Sequence, residues 1–98
     1  RILSALVEEA VAVGDLVRLM TLRQGKANLY EFTIEPSSSL AGKRVGSIDF
    51  PLDTTLVSIL REGQVITPSK DDSVEIGDEL LFVSVEAQEP ALEALLKG

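Results

Sequence analysis

The stretch from Leu40 to Val85 constrains this chain more than any other. It holds two dense apolar runs, Thr54 to Leu60 and Glu79 to Val85, each of strand length and each bounded by turn residues. The first stops at Arg61-Glu62-Gly63 and returns as Gln64-Val65-Ile66-Thr67-Pro68. The second is entered through an acidic loop anchored by Val74 and Ile76, then a tight turn at Gly77-Asp78. Along the first run, Leu56 and Leu60 alternate against Val57 and Ile59. A strand apolar on both faces is either central in its sheet or covered by a partner. Arg61 continues the face of Val57 and Ile59, and a cation at the end of a buried strand requires a countercharge or an anionic ligand.

Ahead of these runs, Leu40 to about Ser47 reads as a short helix, with hydroxyl caps offered by Ser37-Ser38-Ser39 after Pro36. Gly42 and Gly46 leave one flank bare. Each glycine costs a helix roughly 1 kcal/mol relative to alanine, so the pair predicts a close backbone approach. Asp49 to Asp53 is a loop whose Phe50 plugs the core edge.

Toward the N-terminus, Ile2, Leu3, Leu6, Val7, Ala10 and Val13 share one helical face, and Gly14 follows as a stop. Residues 1–14 therefore read as an amphipathic helix that docks on its own domain or links to a preceding one. Asp15 to Arg23 fits either period, although Gly14 and Gly25 bracket it closely and favour a strand. Gln24-Gly25-Lys26 reads as a hairpin turn. Asn28 to Glu35 is a clearer strand, with Tyr30, Phe32 and Ile34 pointing inward. Glu89-Pro90 opens a final helix with Ala91, Leu92, Leu95 and Leu96 on its apolar face. The fold class that follows is α/β (α+β): a small mixed β-sheet packed by short helices.

Ninety-eight residues make one small domain. Such a chain buries only about two-thirds of its unfolded surface, which favours stabilisation by dimerisation or docking. The chain begins at Arg1 inside an apolar pattern, without Met, and reads as part of a longer protein. Nine basic and sixteen acidic residues give a net charge of −7. That balance argues against a nucleic-acid partner and against docking on anionic lipid. With neither Cys nor His, disulfides, thiolate metal sites, catalytic His and nucleophilic Cys are excluded. Nothing requires an oxidising compartment, no signal peptide is visible, and no apolar run approaches the roughly 20 residues of a membrane span.

The acidic group Asp71, Asp72, Glu75, Asp78 and Glu79 offers oxygens to a hard cation, but the EF-hand spacing fails, with Ile76 at the glycine position. A solvated loop is the better reading, and no metal site is assigned. Gly42-Lys43-Arg44 lacks the rest of a phosphate loop, and no Gly-x-Gly-x-x-Gly occurs. Asp49 and Asp53 stand without another catalytic group, so the chain is not expected to be an enzyme. The candidate site is Val57, Ile59, Arg61, Ile66 and Pro68, one guanidinium beside apolar surface. It suits a small anionic ligand with flat apolar parts, such as a nucleotide, and equally a dimer seam.

Ser39-Leu40-x-Gly42-Lys43-x-Val45, Phe50-Pro51, Val57-x-Ile59-x-Arg61-x-Gly63, Pro68 and Ile76-Gly77-Asp78-x-Leu80 together resemble the TrkA C-terminal domain, the RCK-C module of potassium channel and transporter regulators. The resemblance runs from about Asp15 to the C-terminus and implies a regulatory domain over 15–98, preceded by a linking helix over 1–14. It implies that Leu16–Leu22 is a strand. It further implies a homodimer that follows an RCK-N domain and controls potassium flux through a membrane channel or transporter subunit. The place implied is the cytoplasm, at the inner face of the membrane. Cyclic di-AMP or another small anionic effector is the implied ligand, lying near the Arg61 strand and the Ile66–Pro68 return. The alternative is a purely structural homodimerisation module without a ligand of its own. No nicotinamide or adenine cofactor is implied for this stretch.

Overall fold

A computed structural model describes residues 10–22 and 26–98. Six strands form one sheet: β1 (Val11–Val13), β2 (Leu16–Leu22), β3 (Ala27–Thr33), β4 (Thr55–Arg61), β5 (Gln64–Ile66) and β6 (Glu79–Ser84). Their order is β1-β2-β3-β6-β4-β5, and every pair is antiparallel. One helix, α1 (Glu89–Lys97), follows a short 3-10 turn at Glu86–Gln88. The architecture is α+β.

Glycine and short polar turns dictate the antiparallel pairing. Gly14, at φ +64°, and Asp15 turn β1 into β2. Glu62 and Gly63 sit at φ 52° and 80° between β4 and β5, and two positive φ values match the twist of a tight hairpin. β3 alternates as its pattern requires: Asn28, Tyr30 and Phe32 are buried, and Ile34 just beyond it is buried as well. β6 lies against β3 with Tyr30 opposite Phe82 and Phe32 opposite Leu80. Leu92 and Leu96 of α1 close over this face of the sheet, joined by Leu40, Ile48 and Val74 from the loops. Phe50 packs edge-on against Phe82, ring centres 5.6 Å apart, as a plug at the core edge.

Four local expectations change. Val11–Val13, the end of the predicted N-terminal helix, is strand β1, because Gly14 makes a hairpin turn rather than a helix stop. Residues 1–9 of that helix lie outside the described residues, as do residues 24 and 25 of the predicted Gln24-Gly25-Lys26 turn. Leu40 to Ser47 is not one helix; it is a pair of turns and a 3-10 turn at Val45–Ser47. Beside its local turn bonds, three of its N–H groups donate sideways to the loop ahead of β6. Gly42 N–H donates to Val74 O (2.6 Å), Val45 N–H to Asp72 O (2.8 Å) and Gly46 N–H to Lys70 O (2.9 Å). A Cβ on Gly46 would lie 3.0 Å from the Lys70 carbonyl oxygen, so the predicted close approach is real there. Gly42 has open space around it and serves through its left-handed φ of +86°.

The third change lies in β4. Its register shifts between Leu56, opposite Phe82, and Ser58, opposite Leu81. Val57 is the extra residue of a β-bulge. Leu56 and Ile59 thus both face the core, and Val57 is 43% exposed instead of sharing Ile59's face. Fourth, Val74 anchors the acidic loop, whereas Ile76 points outward.

Candidate functional site

β4 ends on Arg61, beside the start of β6. Its Nε donates to Asp78 Oδ1 and its Nη2 to Asp78 Oδ2, each at 2.9 Å, forming a bidentate fork. Nη2 also donates to the Ser73 carbonyl at 2.9 Å, and Nη1 stands 3.5 Å from Glu75 Oε2. Asp78 is 1% exposed and accepts the Glu75 N–H as well. Burial pushes its carboxyl up, but the guanidinium and the Glu75 N–H outweigh burial and hold it below the ordinary carboxylate value. The bond to Asp78 in turn raises the Arg61 guanidinium further and keeps it charged. The countercharge that β4 demanded is therefore supplied within the chain.

Of the five candidate residues, Ile59, Arg61 and Ile66 come together on one face. Ile66 pairs with Ile59, and Gln64 pairs with Arg61. Ile59 is wholly buried, while Ile66, Pro68 and the Arg61 side chain keep partial exposure. Val57 is set apart by the bulge. Exposed large apolar side chains gather along this part of the sequence: Leu52, Val57, Val65 (75% exposed) and Ile76.

The acidic loop is committed to its own backbone. Asp72 Oδ2 accepts the Ser69 N–H at 2.8 Å, and Asp78 belongs to Arg61. Among the described residues no three acidic side chains converge on one point, and no helix is long and apolar enough to cross a membrane.

A second polar cluster was not anticipated. Glu89, the first residue of α1, receives Arg18 Nε at 2.8 Å, Arg18 Nη2 at 2.6 Å and the Tyr30 hydroxyl at 2.5 Å. Asn28 Nδ2 donates to the same hydroxyl at 3.0 Å. Burial, then the Glu89 carboxylate, push the Tyr30 hydroxyl up to about 12. Arg18 lay in the segment whose period was ambiguous, and only the strand assignment aims it at the helix.

The TrkA-C domain family model matches residues 29–97. The chain is 50% identical over 96 residues to the Trk system potassium uptake protein TrkA of Mycobacterium tuberculosis (strain ATCC 25618 / H37Rv), an alignment covering 98% of this chain and 44% of that protein. The chain thus spans less than half the length of that relative. Among solved structures, the GsuK RCK domain superposes with a TM-score of 0.75 at 20% identity, covering 91% of this chain and 20% of that one, a likeness of fold. The RCK_C domain dimer of S. agalactiae BusR in complex with c-di-AMP superposes with a TM-score of 0.56 at 29% identity, covering 66% of this chain and 88% of that one.

Proposed function

This chain belongs to the TrkA-C domain family, and from that premise we propose that it is a regulatory domain of potassium transport that dimerises and senses a small anionic effector. The observation that carries the reading is the partly exposed apolar surface on the Arg61 side of β4 and β5, where Ile66 pairs with Ile59, Pro68 follows it, and Val57 stands exposed at the bulge. Exposed apolar side chains beside a fixed cation suit a seam between two copies with an anionic ligand held at it. The BusR neighbour, a dimer in complex with c-di-AMP, supports that ligand class. In this reading Val57, Arg61, Ile66 and Pro68 line the seam, and Ile59 supports them from the core. The domain follows an RCK-N domain in the cytoplasm, acts on a channel or transporter subunit in the membrane, and catalyses nothing.

Calorimetry with cyclic di-AMP on the wild-type chain and on Val57→Asp tests the ligand. Binding by wild type that is lost in the variant is expected, and no heat with wild type removes the nucleotide from the reading. Sedimentation at micromolar concentration tests the dimer, which a monomer would contradict. A second reading, a structural dimerisation module without a ligand, is favoured by one observation: Asp78 and the Ser73 carbonyl already occupy Nε and Nη2 of Arg61. Dimerisation without a heat of effector binding would select it.

A further inference from the structure

α1 and the loops from Ile34 to Phe50 cover one face of the sheet, and no described helix covers the other. The register fixes what that outer face carries. Glu31 stands opposite Val17 on one side and Leu81 on the other; Leu60 stands opposite Glu79. Leu29 lies two residues along β3 from Glu31. These side chains alternate with the buried Tyr30, Phe82 and Ile59, so they point away from the core. Among the described residues the face is apolar apart from hydroxyls and two charges, Glu31 and Glu79. They are diagonal neighbours across β3 and β6, since Glu31 pairs with Leu81 and Thr33 with Glu79. No Lys or Arg stands among the paired residues of this face. The basic side chains of the sheet, Arg18 and Arg61, turn to the other side, where Glu89 and Asp78 hold them.

Two like charges on half-buried apolar surface are an arrangement that the described residues leave unbalanced. Burial, then the neighbouring Glu79, push the Glu31 carboxyl above its ordinary value. Beside them Ser58, opposite Leu81, has a buried hydroxyl with no hydrogen-bond partner. A second copy is a poor cover for this patch, because a two-fold seam centred on it would bring four carboxylates together. We propose that the outer face is a docking surface for an apolar polypeptide segment carrying one arginine or lysine, whose cation lies between Glu31 and Glu79. The flanking Val17, Leu29, Leu60 and Leu81 take its apolar side chains. This surface is separate from the seam proposed beside β4 and β5.

The test uses a helical peptide of about 18 residues, long enough to cross the sheet, with a leucine face and one central arginine. A control peptide has glutamine at that position. Each is titrated into the isotope-labelled chain. Amide shifts at Leu29–Glu31 and Glu79–Leu81 are expected, with affinity about tenfold or more weaker for the glutamine peptide. The Glu31→Gln/Glu79→Gln variant is expected to lose the preference for arginine. Glutamine preserves side-chain size, and a melting curve checks that the variant is folded. Equal binding of both peptides, shifts confined to other surfaces, or no binding would overturn the proposal. So would concentration-dependent shifts at these residues without peptide, which would assign the face to a second copy.

Discussion

Arg61 and Asp78 form the pair on which the lower end of the sheet depends. Removing the arginine leaves a carboxylate that is almost fully buried without its cation. Breaking such a pair from one side costs about 3 kcal/mol or more. Arg61→Ala is therefore expected to lower the urea midpoint strongly with an unchanged slope, and a midpoint near wild type would contradict the pairing. Because Asp78 titrates below its ordinary value of 3.8 in the folded chain, its contribution is present above that pH and lost as pH falls through the lower folded value. Tyr30 works in the opposite window. Its value rises from 10.0 to about 12, so the folded chain keeps a proton that the unfolded chain releases. Stability is full below pH 10 and falls as pH rises toward 12, on the order of 2–3 kcal/mol in all. Tyr30→Phe should flatten that alkaline slope in a series of melts between pH 9 and 12, a range chosen to bracket the two values.

Elements were legible wherever one period dominated. The β3 pattern was clear because tyrosine, phenylalanine and isoleucine alternate with polar residues, and Glu89-Pro90 marked the start of α1. What stayed hidden was whatever depends on a residue out of step. Val57 looks like half of a two-faced strand, since alternation assumes regular pairing, and a bulge resets it. The Leu40–Ser47 segment has helical spacing, but three of its backbone donors find their acceptors 24 to 32 residues away and leave no local trace. The need for a countercharge to Arg61 was readable; its identity was not, because Asp78 is its neighbour only through the order β6-β4. One experiment follows at this scale. Deleting Val57 removes the unpaired residue and leaves Leu56, Ser58 and Ile59 opposite their present partners. The deletion is expected to keep a near wild-type melting temperature while abolishing effector binding and dimerisation. A chain that fails to fold would show that the bulge itself is needed.

At the scale of the molecule, the charge is unevenly used. Both strand arginines are turned to the covered side of the sheet and neutralised there, while the described residues of the outer face carry carboxylates alone. A net charge of −7 thus coexists with a surface suited to a cation set in apolar material. The proposed dimer seam and the outer face lie on different parts of the sheet, so one domain can meet a copy of itself and another polypeptide at once.

The order of the strands also sets a schedule. β1 to β3 form one antiparallel group and β4 with β5 another, and β6 alone is bonded to both. The strand that unites them is the last to be made. During synthesis the two groups emerge with their apolar faces open, and the core cannot close until Glu79–Ser84 has left the ribosome. Pairings so distant in sequence fold slowly compared with local ones. A chain ending before Glu79 should show no cooperative thermal transition, and one released at that length should be taken by proteases that the whole domain resists. The domain therefore forms nearly all at once and at the end, with no stable half to precede it.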